Sequence, residues 1–280
     1  MDKQEKAFSA NEGMDIGGLD MKITIIGTGK MGGALLERLV NAGFVLNEHV
    51  LACDINESRL KELQQKLRVN VSRDSREGAR FGDVVIIAVM PKQVREILEE
   101  IKTDISESKL VISVAALVST KSIENILMKN VGVIRIMPNI PSLVGSGFNL
   151  VCFGRFMKDD DKERIRKMLS VWGEYREVAE EKIELYTVIS AMGPTYFFPF
   201  LDTLVSFGIE NGLSESEARE AACLTLKGTA DAALKIPITI ENLKNMIGSQ
   251  PLKDKEQELK ATLKEALNKT LNELRTISKK

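Results

Sequence analysis

The stretch MKITIIGTGKMGGALLERLV, which starts at Met21, restricts the fold more than any other part of the chain. A short apolar run over 22–27 reads as a buried strand. It enters Gly27-Thr28-Gly29-Lys30-Met31-Gly32, and a helical pattern follows at once over 33–41. A glycine turn between a strand and a helix can be a mere bend, but this order and spacing favour a dinucleotide-binding unit. Gly27 permits the tight turn, Gly29 lets backbone approach a pyrophosphate, and Gly32 lets helix and strand pack closely. The helix then meets the phosphates with open N–H groups and a partial positive charge.

The same alternation continues downstream. Strand-like runs at 50–54, 83–89, 110–114 and 131–137 are separated by helical patterns at 57–67, 92–101 and 121–128. Near-continuous apolar strands, of which DVVIIAVMP (83–91) is the clearest, predict a parallel sheet covered on both faces. A Pro/Gly-rich loop and one further strand follow Met137. From about residue 181 only helical spacing remains, at 183–190, 195–211, 215–234, 240–246 and 254–277. Ser214 and Glu217 form a capping box for one of these helices. Leu259, Leu263, Leu267, Leu271 and Leu274 stripe the last one, and such a stripe needs a partner. The expected organisation is a polar, disordered tail over 1–20, a dinucleotide-binding domain over 21–179 and a helical substrate and dimerisation domain over 180–280.

Composition excludes several classes. The 280 residues carry 39 Lys and Arg against 40 Asp and Glu, with 5% aromatics, so neither nucleic acid nor an anionic membrane is an expected partner. The most apolar stretch, PTYFFPFLDTLVSFGI (194–209), contains Pro199 and Asp202 and reads as a buried helix. Cys53, Cys152 and Cys223 are far apart in apolar runs and read as buried, reduced thiols in a cytoplasmic protein. His49 is the only histidine, so a histidine-based triad or metal site is not expected, and no catalytic side chain is assigned.

Asp54 ends the second strand about 20 residues beyond Gly32, where an acid accepts hydrogen bonds from the adenosine ribose. Its charge opposes a 2′-phosphate and favours NADH, whereas the nearby Arg59 would suit NADPH if it turned toward a phosphate. Ligands in such sheets bind outside the carboxyl ends of strands. Three segments fall there: Ala88-Val89-Met90-Pro91, Ser113-Val114-Ala115-Ala116 and Met137-Pro138-Asn139-Ile140-Pro141. Small residues and prolines suit the floor under a nicotinamide ring, and Asn139 can both donate and accept. Further along, the helix starting near Pro194 offers backbone donors to a substrate carboxylate. Ser190, Gly193 and Thr195 lie beside that start, where capping is the competing role for the hydroxyls. Tyr196 and the following phenylalanines read as core, Lys253 as a solvated lysine, and Glu180 with Glu184 as a solvated or salt-bridged face.

IGTGKMGGALL, AVMPKQV, ISVAALVS, RIMPNIPSLVGSG and ISAMGPTYFFPFLDTL, in that order, are similar to pyrroline-5-carboxylate reductases. The resemblance runs from about Met21 to at least Met246. It implies a Rossmann-type domain, a helical domain that interlocks with its twin in a dimer, and reduction of a small cyclic imine acid by NAD(P)H. Met90 stands where the family usually has Lys, Leu117 where it has Gly and Met192 where it has Ser; QPLKD follows Ser249 in place of its glycine–threonine turn. These departures keep two alternatives open: another small imine or carbonyl substrate, or a cofactor-binding dimer without catalysis.

Overall fold

A computed structural model describes residues 20–278, so the expected tail lies, apart from Asp20, outside the described residues. The chain divides into two compact units, the first ending at Ile183 and the second beginning at Glu184.

The first unit alternates strand and helix: β1 (Ile23–Ile26), α1 (Lys30–Asn41), β2 (Val50–Cys53), α2 (Glu57–Leu67), β3 (Asn70–Ser72), α3 (Ser75–Phe81), β4 (Val84–Ile87), α4 (Pro91–Ile101), β5 (Leu110–Ser113), α5 (Thr120–Leu127), β6 (Gly132–Met137), β7 (Gly147–Phe153), α6 (Asp159–Trp172) and β8 (Gly173–Glu177). The strands form one eight-stranded sheet in the order β3-β2-β1-β4-β5-β6-β7-β8. Every neighbouring pair is parallel except β6 and β7.

Period-two side-chain placement explains why these strands lack polar alternation. Ile23, Ile25, Val84 and Ile86 point to one face, where they meet Leu35, Leu36 and Leu39 of α1 and Ile165 and Met168 of α6. Val85, Ile87, Leu51 and Val111 point to the other, against Val94, Leu98 and Ile101 of α4 and Ile123 of α5. Trp172 closes the first face, its Nε1–H donating to the Leu35 carbonyl at 3.1 Å. Two strands have no counterpart in the sequence reading. β3 and β8 carry polar, partly exposed residues and lie at the two sheet edges, where one flank has no strand to face.

The second unit is helical from α7 (Ile183–Tyr186), which straddles the boundary, through α8 (Gly193–Glu210), α9 (Glu215–Lys235) and α10 (Ile240–Asn245) to α11 (Glu256–Ser278). A π-helical turn, Thr187–Ala191, precedes α8. Ser214 and Glu217 form the expected box at the start of α9, with the Ser214 N–H donating to Glu217 Oε2 at 2.8 Å. The stretch read as a buried helix is instead exposed in the single chain: Phe200 is 54% and Phe207 64% accessible. Phe197 and Leu204 join them to make a stripe at helical spacing on α8. Cys223, expected to be buried, is exposed on α9. Both corrections have one cause: in the single chain these faces of α8 and α9 are not covered by the other described helices of the unit.

Candidate active site

In the sheet the order in which successive strands are laid down reverses beside β1: β2 and β3 lie on one side, and β4 starts the other, all parallel. Such a switch point opens a crevice at the carboxyl ends of the strands. The backbone there is tightly knit. The Gly27 N–H donates to the Cys53 carbonyl at 2.8 Å, the Ala88 N–H to Ile26 at 2.8 Å, and the Val114 N–H to Ile87 at 3.0 Å. The glycine turn, Asp54, the Ala88–Pro91 segment and the loop after β5 therefore line adjacent strand ends.

Each glycine of the turn has its own reason. Gly27 has φ +96°, and a Cβ there would sit 2.7 Å from the Ala88 carbonyl oxygen. At Gly32 a Cβ would overlap the Gly27 carbonyl and press on the Ala88 methyl. At Gly29 a Cβ would meet nothing within 4 Å, so the space above it is open. Gly29 is also the N-cap of α1; no side chain caps it and no acid lies in the first turn. Lys30 is exposed there and Met31 half-buried. An open glycine backbone at an uncapped helix N-terminus accommodates a phosphate, so the residues present suit a dinucleotide.

Asp54 is more constrained than its position in the sequence indicates. Its Oδ2 accepts from the Thr28 N–H at 2.7 Å and the Thr28 hydroxyl at 2.9 Å, while Oδ1 accepts from the Asn56 N–H at 2.8 Å. Arg59 approaches Oδ2 to 3.8 Å, and the carboxylate is only 7% accessible. Burial works to raise the Asp54 pKa, but the Asn56 and Thr28 hydrogen bonds and the Arg59 charge outweigh it and hold the group below its ordinary value. Asp54 is thus a fixed anion that ties the glycine turn to β2. Thr28, the middle residue of G-x-G, was missed by the sequence reading; its hydroxyl beside a downstream acid was the available signal.

The remaining segments differ among themselves. Ala88, Val89 and Pro91 are partly buried, Met90 projects to solvent at 62% accessibility, and Ala115 is buried. Leu117 adopts φ +65°, a left-handed conformation that L side chains disfavour. Asn139, read as able both to donate and to accept, has its acceptor engaged within the protein. Its Oδ1 takes the Phe148 N–H at 3.2 Å and faces the Ser142 hydroxyl, which donates on to Asn149 Oδ1 at 2.8 Å. The physical reason is local: a Pro/Gly-rich loop with little core of its own is held closed by buried polar side chains.

In the second unit, Ser190 lies in the π turn, a feature frequent at functional sites, and Gly193 is the buried first residue of α8. The exposed Thr195 hydroxyl donates back to the Met192 carbonyl at 2.6 Å, which is a local turn bond. Tyr196 donates its hydroxyl to the Val188 carbonyl at 2.9 Å and so ties α8 to that turn. The segment after Met246 closes on itself: Gln250 Nε2 donates to the carbonyls of Lys244 at 3.2 Å and Ile247 at 3.3 Å. Bonds from the Lys244 and Lys260 ammoniums hold Glu256 at the base of this loop down to about 2. Lys253 is solvent-exposed, as expected.

Residues 22–117 match the family model described as NADP oxidoreductase, coenzyme F420-dependent, and residues 180–251 match the pyrroline-5-carboxylate reductase dimerisation model. A pyrroline-5-carboxylate reductase of Methanosarcina acetivorans is 33% identical over 230 residues, 82% of this chain and 85% of its own length. The chain belongs to the pyrroline-5-carboxylate reductase family. A reductase of Corynebacterium melassecola is 32% identical over 74% of this chain and 78% of its own. Among solved structures, Plasmodium falciparum pyrroline carboxylate reductase with NADP bound superposes with a TM-score of 0.82 at 25% identity, covering 92% of this chain and 98% of its own. The Coxiella burnetii enzyme gives 0.77 at 28%, covering 93% and 99%. The Rossmann-type sheet and the following helical unit are the fold of this family.

Proposed function

We propose that the chain reduces the C=N bond of 1-pyrroline-5-carboxylate with NAD(P)H to yield proline. The observation that carries this reading is the pairing of an open phosphate cradle at Gly29 with family likeness over most of the chain. NAD(P)H, when bound, supplies the hydride. Gly27, Gly29, Lys30, Met31 and Gly32 present the α1 N-terminus to the pyrophosphate, and Asp54 takes the adenosine ribose. Ala88, Val89, Met90, Pro91, Ala115 and Asn139 border the nicotinamide, and Ser190, Gly193 and Thr195, with Asn139, receive the substrate. An iminium already carries its proton, so orientation supplies much of the rate without a strong base.

Both cofactors enter this reading, with a lean to NADH. A desolvated Asp54 anion repels a 2′-phosphate, while half-exposed Arg59 beside it offers a counter-charge. Asp54→Ser is expected to raise NADPH use relative to NADH; an unchanged ratio would remove Asp54 from ribose recognition. The family's dimerisation model covers the apolar α8, which among the described residues belongs to the one helical run long and apolar enough to cross a bilayer. We assign that face to a second copy of the chain in a cytoplasmic homodimer or larger homo-oligomer. A second reading, another small cyclic imine or carbonyl compound, is favoured by the self-closed Gln250 loop and by Leu117.

The test is the decay of NADH or NADPH absorbance with pyrroline-5-carboxylate. Turnover is expected; cofactor binding without turnover of this imine would overturn the substrate assignment.

A further inference from the structure

We infer that Glu180 is a positioning residue for hydride transfer, its carboxylate holding the β5–α5 loop in the form that borders the cofactor. This rests on the NAD(P)H-reductase reading above. The loop, residues 114–119, contains Leu117 at φ +65°. A non-glycine residue stays in that region only when the surroundings fix both sides of it. On the β5 side, the Val114 N–H donates to Ile87 at 3.0 Å and the Ala115 N–H to Ser113 Oγ at 3.3 Å.

The α5 side is fixed from far away in sequence. Thr120, the first residue of α5, donates its N–H to Glu180 Oε1 at 2.9 Å and its hydroxyl to Oε2 at 2.8 Å. Both carboxylate oxygens are thus engaged by one residue three positions after Leu117. Arg135, on the neighbouring strand β6 and 3% accessible, brings its guanidinium within 3.3 Å of Oε1. An anion at a helix N-terminus also complements the helix dipole. Glu180 is therefore salt-bridged, but into a buried arginine and a helix start rather than along a helix face.

Its place in the chain adds a second consequence. Glu180 stands just before the boundary after Ile183, so the same carboxylate pins the segment from which the second unit departs. Loosening it frees the strained loop and that departure point together. Misplacement on the scale of an ångström at a reacting centre costs rate far more than binding of remote parts.

Glu124 supplies the matched control. It is a buried acid on α5 itself, but its Oε1 accepts from the Arg155 N–H at 2.8 Å, on the side of β7 and α6. Wild type, Glu180→Ala, Glu180→Gln and Glu124→Ala are compared by Tm, by reduced-cofactor Kd from fluorescence, and by kcat and KM. Glu180→Ala should lower kcat on the order of tenfold or more and weaken cofactor binding several-fold. Glu180→Gln, which keeps an acceptor for Thr120, should recover most of both. Glu124→Ala should lose comparable Tm with kcat and Kd unchanged. If Glu180→Ala behaves like Glu124→Ala, the inference is overturned. Should Glu180→Ala not fold, Thr120→Val, which removes the hydroxyl donor to Glu180 Oε2 at similar volume, decides: lower kcat with weaker cofactor binding at near wild-type Tm supports the inference, and unchanged kcat and Kd overturn it. If wild type binds cofactor but turns over no pyrroline-5-carboxylate, the substrate reading fails separately. The cofactor Kd then still decides, since a rise in Glu180→Ala alone supports the role and no rise removes it.

Discussion

The two units solve the burial problem differently. In the first, all four residues of β1, β2, β4 and β5 are buried, and helices cover both faces of the sheet. Among the described residues of the second, Val188, Ala218 and Ala222 are the buried hydrophobic ones, while an aromatic stripe on α8 faces outward. A central parallel sheet lets one chain finish its core, because each strand is enclosed by neighbours and helices. A few helices following one another leave apolar faces uncovered, and contiguous exposed patches of this kind mark association surfaces. The nucleotide unit completes its core within one chain, and the helical unit leaves an apolar face open to association.

The largest effect that could break this contrast comes from charging the stripe. Phe200→Glu with Phe207→Glu should leave the sheet unit folded but dissociate the oligomer, since burying each ring is worth about 1.5–3 kcal/mol. Sedimentation velocity reads the outcome, and an unchanged assembly would show that another surface joins the copies.

The next effect lies within the nucleotide unit and separates folding from binding at neighbouring glycines. Gly32→Ala drives a methyl into the Gly27 carbonyl, so overpacking should cost about 1–3 kcal/mol and lower Tm. Gly29→Ala projects into open space, leaving Tm near wild type while filling the cradle and raising the NAD(P)H KM. Thermal unfolding and cofactor titration together distinguish the two; equal Tm losses would contradict the geometry.

Smaller still, Leu117→Gly should stabilise. Removing the left-handed penalty of about 1–2 kcal/mol outweighs the added unfolded-state entropy of glycine, about 0.5–1 kcal/mol. A modest rise in Tm is expected, and a fall would mean that the leucine side chain contributes more packing than its backbone costs.

The smallest effect is pH-dependent. Asp54 is held below its ordinary 3.8, so it contributes stability above that value, and the contribution is lost as pH falls through the lower folded value. Asp54→Asn should therefore flatten the acid limb of the Tm profile below about pH 4; parallel wild-type and variant profiles would contradict the hydrogen-bond account.

What was legible followed from where each signal resides. Ile23, Val85 and Leu110 announce buried strands because enclosure on both faces removes polar alternation, Gly27 and Gly32 announce the turn because a Cβ there would strike backbone, and Gly29 because it leaves open space at the start of α1. The β3 strand at Asn70 and the β8 strand at Glu174 were hidden, since edge strands carry polar residues without a distinctive period. The engagement of Asn139 with Phe148, and of Glu180 with Thr120 and Arg135, depends on contacts that local pattern does not encode. The outward stripe of α8 misled for a third reason: apolar spacing reports that a face is covered but not by which chain.

The most direct test of the account is the mass of the intact protein in solution, measured by light scattering at micromolar concentration while the same sample oxidises NAD(P)H with pyrroline-5-carboxylate. The account predicts an active species of twice 31.1 kDa or a higher multiple. A fully active particle of 31.1 kDa would contradict it.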